Sequence, residues 1–509
     1  MKRQISGGIL LSIVAQAITI IVGLVYTPVM IRILGQNEYG LYQLVLSVVN
    51  YLNLMNFGFN GAYIRYYSEA RAKEDPDGVT NVNGMFMKVF LLIALLCVGA
   101  GTVLYFRIDI LGSQLTVEDY AIAKKLLVMM VISMAVSFPN SLFTAYMSAN
   151  ERFIYQKGIN IVLNIVSPLL TLPLLLWGKG SVGVVAVSLF ISLLRLAVNS
   201  WYCFRKLEMK INLRYTDKKV FAGLLGYTFF IFLSDVVDQL NTNVDKFLLG
   251  RIIGTVSVAI YSVGFNLKNY YLMVSWIVSE MFIPEANRLA IEDRNDRKLT
   301  ELFTKVGRYN NYICLLILTG FILVGRQFIQ LWVGDGYENA YWVCVILMFA
   351  SYIPSVQTLG VNIQNALNMH KARSVVYFGI AVVNVICSIF LIRLWGEIGT
   401  SLGTLFAVLI GSGIFMNWYY RKKIGLDIWY FWKDILRWTI PAALLCAAGW
   451  FVMKQFTIAS WWTLIAAAAA YGIVYAGLLW TIGFRKEEKE SIKNLVSALG
   501  RKVKRGGRA

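Results

Sequence analysis

Long apolar blocks alternate with short polar links along the whole chain, and the blocks predict helices that cross a membrane. The expected spans are 6–34, 39–66, 85–106, 120–149, 158–178, 181–204, 221–253, 255–287, 303–326, 338–369, 374–395, 400–420, 437–456 and 461–484. At roughly 20 residues per crossing, they make about fourteen transmembrane helices. The links leave no room for a sizeable soluble domain. The expected class is therefore an all-α polytopic membrane protein.

Polar residues interrupt four of these blocks in a regular way. Asp235, Asp238, Thr242 and Asp245 step by three and four, so they share one helix face. Lys246 adjoins them on another face. Lys268, Tyr271, Ser275 and Ser279 form a stripe on the next span, which ends near Glu280. Ser12, Gln16, Thr19, Gly23 and Thr27 do so on span 1, and Asn50, Asn53, Asn56 and Asn60 lie near the middle of span 2. A charge at the bilayer centre costs roughly 2.5–3.5 kcal/mol on insertion scales and persists where it faces a partner, a bundle interior or a watery cavity. Polar stripes on hydrophobic rods therefore imply a polar chamber inside the membrane. Pro139, Pro168, Pro173, Pro284 and Pro354 suggest kinks of the kind such a bundle tolerates.

Composition agrees with a membrane solvent: 58% hydrophobic, 15% charged, mean hydropathy +0.62. The net charge of +20 would suit a nucleic-acid partner, but its distribution argues against one. Lys and Arg gather in alternate links (71–73, 205–219, 288–308, 421–423) and in the tail from Arg485, leaving isolated cations such as Arg107, Lys179, Arg326, Arg393 and Lys454 in the others. That positive-inside bias places both termini in the cytoplasm. Lys486, Lys489 and Lys493 share a helical face that would touch anionic head groups. Met1-Lys2-Arg3 and Ala15-Gln16-Ala17 resemble a secretory signal, but the apolar run continues to Leu34, so a retained first helix is expected. The six scattered cysteines form no CxxC pair, so no metal and no disulfide frame is expected. His370, beside Lys371, reads as a surface residue. No Gly-rich Lys-Ser/Thr loop is present, so ATP is not the direct power source and no cofactor is expected.

The chain also matches itself. A shift that lays Arg32-Ile33 and Gly35 on Arg251-Ile252 and Gly254 lays Tyr42 on Tyr261 and Asn50-Tyr51 on Asn269-Tyr270. Trp201-Tyr202 and Trp418-Tyr419, each ahead of a basic pair, resemble one another later on. Spans 1–6 and 7–12 thus read as two copies in the same orientation, the parallel kind of transporter repeat, with substrate expected at their interface. The expected divisions are 1–215, 216–430, 431–484 for spans 13 and 14, and a basic tail 485–509.

The segment Ile33-Leu-Gly-Gln-Asn-Glu-Tyr-Gly-Leu-Tyr, followed by Asn50-Tyr51, Gly58-Phe59 and Arg65-Tyr66, resembles the polysaccharide-transport flippases. These are the Wzx-like members of the multidrug/oligosaccharidyl-lipid/polysaccharide exporter superfamily. Asn241 to Arg251, Ala259 to Gly264, Phe282-Ile-Pro and Phe328 to Gly334 are similar to the same family. The resemblance covers residues 1–430. It implies two six-helix lobes in a V around a central cavity, with two further helices. It also implies a multi-pass protein of the bacterial plasma membrane that moves a polyprenyl-pyrophosphate-linked oligosaccharide to the outer leaflet by alternating access. The partners would be that lipid-linked glycan, membrane lipids, a coupling proton or Na⁺, and the glycosyltransferases and polymerase of the same pathway.

Such a cargo needs its hydration replaced inside a 30 Å hydrocarbon layer. Arg32, Arg65, Arg195, Lys246, Arg251 and Lys268 are candidates for the pyrophosphate. Asn50, Asn53, Asn56, Asn60, Gln16 and Tyr271 are candidates for the glycan. Arg32, Arg251 and Arg195 could equally snorkel, and Arg65 could be a topology charge. Asp235, Asp238 and Asp245 would balance the chamber cations or bind the coupling ion. Two other classes of function remain open. A cation-exporting drug antiporter of the same superfamily usually has twelve spans, and a membrane polymerase or ligase would carry a long catalytic outer loop. The longest outer links here are short, near 107–119 and 326–337, and no enzyme is expected.

Overall fold

The computed structural model describes residues 2–215, 218–293, 295–367, 369–456, 458–490 and 494, without the side chains of 2–10, 218–230, 292–293 and 370–372. Lys218, Lys219, His370, Lys371, Lys493 and the tail beyond residue 494 therefore lie outside the described side chains. The described residues form helices joined by short links, with no strand among them. In order these are α1 (Lys2–Asn50), α2 (Phe59–Ala72), α3 (Pro76–Phe106), α4 (Val117–Ala149), α5 (Phe153–Leu176), α6 (Gly180–Arg205), α7 (Lys218–Ile252) and α8 (Thr255–Glu280). Then follow α9 (Ile283–Arg288), α10 (Asp296–Val333), α11 (Glu338–Val356), α12 (Thr358–Ala366), α13 (His370–Val408), α14 (Met416–Tyr419), α15 (Ile428–Met453) and α16 (Trp461–Leu478).

Each expected span has a helical counterpart. Among the described residues, ten stretches are long and apolar enough to cross a membrane, and two of them, Leu11–Ala72 and Arg373–Ile424, are 62 and 52 residues long, enough for two crossings each. The helices α7 and α8, at 35 and 26 residues, add the charged pair. Large apolar side chains such as Ile21, Val25, Leu95, Leu176, Ile414 and Ile473 face outward, as a lipid solvent requires.

The matched glycines of the repeat make matched turns. Gly35 takes φ 73 inside α1, and Gly254 takes φ 130 between α7 and α8. Only glycine enters that region without strain. Trp177-Gly178 and Trp395-Gly396 repeat the device between spans 5 and 6 and between spans 11 and 12, with φ 72 and 56 at the glycines.

The motif that carries the family resemblance is a structural knot. Glu38 accepts hydrogen bonds from the Ser181 N–H and Oγ at 2.6 and 2.7 Å, seating the start of α6. Asn37 donates to Asp119 on α4 and accepts from Thr255 on α8, and Gln36 donates to the Gly336 carbonyl at 2.7 Å. Gly40 lies so close to the Thr255 carbonyl that a Cβ there would collide with it.

Three spans depart from the continuous helices expected. Span 2 breaks in its middle. After α1 the chain runs through a single 3₁₀ stretch, Tyr51–Asn56, then places Phe57 and Gly58 in the left-handed region (φ 47 and 69) before α2 begins. The expected span 8 ends at Glu280, where a turn leads to α9 with Pro284 in its first turn. The expected span 10 breaks at Gln357, between α11 with Pro354 inside it and α12.

The chain packs as two compact units, Met1–Met273 with Trp332–Ser351 and Leu367–Met416, and Val274–Leu331 with Tyr352–Ala366 and Asn417–Ala509. The first has a core built chiefly from α1, α2, α3 and α4, with Phe86, Phe90, Leu126 and Leu142 among its buried side chains. In the second, Phe303 stacks on Phe431 at 4.6 Å, and Trp438 donates to the Tyr475 hydroxyl, which donates to the Tyr312 carbonyl. The second unit also buries an ionic quartet. Arg308 on α10 meets Asp434 on α15 and Glu488, each at 2.6 Å, and Arg485 meets Asp434 from the other side.

Candidate functional site

Helix α7 carries most of the candidate chemistry, in two zones. In the first, Asp245 and Lys246 are consecutive, so helical geometry sends them to different neighbours. Asp245 is fully buried, and its Oδ2 accepts from Tyr261 on α8 at 2.8 Å and from Thr404 on α13 at 3.1 Å. Its Oδ1 is buried and makes no close hydrogen bond among the described residues, with the Ser388 hydroxyl of α13 also beside the carboxylate. Lys246, also buried, donates to Gln43 on α1 at 3.3 Å. Gln43 donates to the Tyr39 hydroxyl, which also accepts from Asn266 on α8. That chain of neutral groups ties α7, α1 and α8 around one ammonium.

Lys268 joins the same place. Its Nζ lies 4.5 Å from the centre of the Phe265 ring, and Lys246 Nζ lies 5.0 Å from the centre of that ring. Two cations thus share one aromatic ring, the geometry of a cation–π contact. Asp245 supplies the opposite charge that Lys268 feels. Among the described residues, no carboxylate lies within ion-pair distance of either lysine. Two positive charges and one negative charge therefore occupy the depth of membrane-length helices.

The second zone lies farther along α7, at the break in span 2. The ten residues from Asp235 to Asp245 span about 15 Å at 1.5 Å per residue. The Phe57 ring stacks on Phe232 at 4.7 Å, and Gly58 lies against Ile231 so closely that a side chain there would collide. The break thus packs one turn from Asp235, which is half-buried, and near Asp238, which is exposed. The charge facing Asp238 comes from Arg373 on α13, and Ser234 and Ser374 hydrogen-bond at 2.6 Å beside it. Asn50, at the end of α1, donates to Asn243, which donates to Gln239. Asn53 is exposed. The side-chain oxygens of Asn56 and Asn60 are buried with no hydrogen-bond partner among the described residues.

The remaining candidates are spread over α1, α2, α6, α7 and α8. Arg32 on α1 and Arg65 on α2 are exposed. Arg251 is exposed and donates to the Ile110 carbonyl at 3.1 Å. Arg195 is half-buried on α6, with its Nε buried and without a hydrogen-bond partner among the described residues. Gln16 is half-buried on α1, and Tyr271 is buried on α8. The α8 stripe divides beyond Tyr271: Ser275 donates to the Ser355 carbonyl and Ser279 accepts from Asn310, so both hydroxyls serve packing in the second unit.

The family described as polysaccharide biosynthesis protein matches residues 5–284, more than half of the chain. This chain belongs to that family. Its curated relatives include a putative O-antigen transporter of Shigella flexneri, 20% identical over 78% of this chain and 92% of the relative. The probable flippase AglR of Haloferax volcanii is 21% identical over 77% of this chain and 78% of its own length. Among solved structures, the inward closed conformation of the lipid II flippase MurJ is similar at a TM-score of 0.71 and 17% identity, covering 93% of this chain and 99% of that one. An inward-facing multidrug MATE transporter is similar at a TM-score of 0.59 and 15% identity, covering 81% and 98%. In this family member, sequence periodicity misses Gln43, Tyr261, Phe265, Arg373 and Thr404, which surround the charges from other helices. The one sequence signal for any of them is that Tyr261 occupies the repeat position of Tyr42.

Proposed function

We propose that the chain is a flippase that moves a polyprenyl-pyrophosphate-linked oligosaccharide across the plasma membrane for cell-surface polysaccharide synthesis, by alternating access. The observation that carries this reading is the trio of buried Asp245 and Lys246 with half-buried Lys268, with one positive charge in excess. A pyrophosphate anion supplies what that trio lacks. The names of the relatives point to the same class of cargo.

On this reading Lys268 and Lys246 hold the pyrophosphate, and Asp245 keeps them tolerable when no cargo is bound. The buried Asp245 Oδ1 also fits a coupling proton or Na⁺. Asn50, Asn53, Asn56 and Asn60, at the break in span 2, face the glycan. Broken helices at mid-depth are a usual place for transporter substrate sites, because unwound backbone is tolerated where it lines a cavity. Arg195 and Arg65 lie along the route of the head group, and Arg32 and Arg251 anchor the turns beside Gly35 and Gly254. Asp235 and Asp238 work with Arg373 as a second charge-balancing site. Spans 1–6 and 7–12 act as two lobes, and residues 431–484 serve the lipid tail. Both termini lie in the cytoplasm of a bacterial cell, the protein itself is not an enzyme, and glycosyltransferases and a polymerase work beside it.

The test is complementation. In a strain whose surface polysaccharide depends on this protein, the wild-type gene restores the polymer and Lys268→Met does not. Full restoration by Lys268→Met overturns the reading. Drug resistance conferred on a pump-deleted host, without any effect on polysaccharide, would support an antiporter in its place.

A further inference from the structure

Helices α1, α4 and α6 line an open-sided cavity of about 200 Å³, and of its lining residues only Asn50 has a role above. Its polar lining is Tyr42 and Asn50 from α1, Ser133 and Ser137 from α4, and Ser188 and Ser192 from α6. The rest of the wall is methionine, leucine and valine, and no charged residue lines it.

The hydrogen-bond directions decide what the serines offer. Each hydroxyl has one hydrogen and two lone pairs. Ser188 donates to the Val184 carbonyl, Ser192 to the Ser188 carbonyl and Ser137 to the Met134 carbonyl. Ser133 and Ser192 pair at 2.7 Å. With the Ser192 hydrogen directed to the Ser188 carbonyl, the arrangement that satisfies both groups has Ser133 donating in that pair. All four serine hydrogens are therefore engaged within the protein, and what the serines turn to the cavity is lone pairs.

Serine acceptors beside only the neutral donors of Tyr42 and Asn50, without a cation, disfavour phosphate, which brings acceptors and charge of its own. It suits a neutral molecule rich in hydroxyl donors. The apolar remainder and the Tyr42 ring suit a flat C–H face. A sugar ring has both properties, and a lipid chain has only the second. Asn50 joins this cavity to the proposed glycan route, because it lines the cavity and its amide donates to Asn243 on α7 at 3.3 Å.

We propose that this cavity is a sugar subsite that takes one neutral pyranose of the cargo. This rests on the flippase reading for the identity of the cargo, but not for the binding itself. The probe is a panel of methyl pyranosides of glucose, galactose, mannose and N-acetylglucosamine, offered to the purified full chain in nanodiscs and followed by saturation-transfer NMR. The expected result is transfer to at least one pyranoside, reduced about fivefold or more by Ser188→Leu, which fills the cavity. Ser137→Ala, which removes one acceptor and little volume, reduces it about twofold and serves if Ser188→Leu does not fold. No transfer to any member of the panel, or transfer indifferent to both variants, overturns the subsite. If Lys268→Met blocks polysaccharide export while folded Ser188→Leu exports normally, the subsite falls and the flippase reading stands. If pyranoside transfer is lost in Ser188→Leu while deletion of the whole protein leaves surface polysaccharide unchanged, the subsite stands and the flippase reading falls.

Discussion

Two largely buried ionic clusters in this chain, each with one half-buried cation (Arg485 and Lys268), are built on opposite terms. In the quartet of Arg308, Asp434, Arg485 and Glu488, two cations meet two carboxylates in a chain of ion pairs. The charges cancel and no anion is needed. In the trio of Asp245, Lys246 and Lys268, the ammonium groups have an amide and an aromatic ring as near neighbours, and one positive charge is left over. A closed ion network is an ordinary structural device, whose cost appears when one member is removed. An unbalanced charge at membrane depth is the ground on which the trio is proposed as a functional site. Burial alone does not separate structural from functional charge in a membrane protein. The local sum of charge does.

The comparison can be broken by measurement. Arg308→Leu leaves Asp434 and Glu488 with one cation between them. It is expected to cost about 3–5 kcal/mol, read as a lower melting temperature of the purified protein, with export lost as a consequence. Next in size is the double variant Lys246→Met with Lys268→Met, which strands Asp245 without an opposite charge. Its destabilisation should exceed the sum of the single variants by about 1–3 kcal/mol, and simple additivity would contradict the charge reading of the trio. Lys268→Met alone makes the trio neutral. Its melting temperature should hold or rise while export falls about tenfold, equivalent to ~1.4 kcal/mol. A matching fall in both would make Lys268 structural. Smallest is Arg251→Ala, which loses one surface hydrogen bond to the Ile110 carbonyl. It should change stability by less than about 0.5 kcal/mol and leave export intact.

The membrane class, the helical spans and the matched turns at Gly35 and Gly254 were legible, because hydropathy and the repeat act over many residues. Charges along α7 were legible as a stripe, but their partners were not. Thr404 stands 159 residues from Asp245, and Asp434 and Glu488 stand 126 and 180 from Arg308. Helical spacing says which residues share a face, and not which helix that face meets. Arg308 in particular reads as one more basic residue of a positively charged link. The break in span 2 had a local signal. The repeat position of Gly58 is Ile277, and Ile277 lies in the uninterrupted helix α8. Glycine is what lets one copy enter the left-handed region where its counterpart stays helical. At matched positions of the two sequence segments, one helix is opened and bears amides while the other is continuous and bears Lys268.

The most direct test is binding of a polyprenyl pyrophosphate without sugar, against the matching polyprenyl alcohol, to purified protein in nanodiscs. The wild type should prefer the pyrophosphate at least tenfold, and Lys268→Met should lose most of that preference while still binding the alcohol. Equal preference in both proteins would contradict the claim that the unbalanced trio recognises the anionic head group.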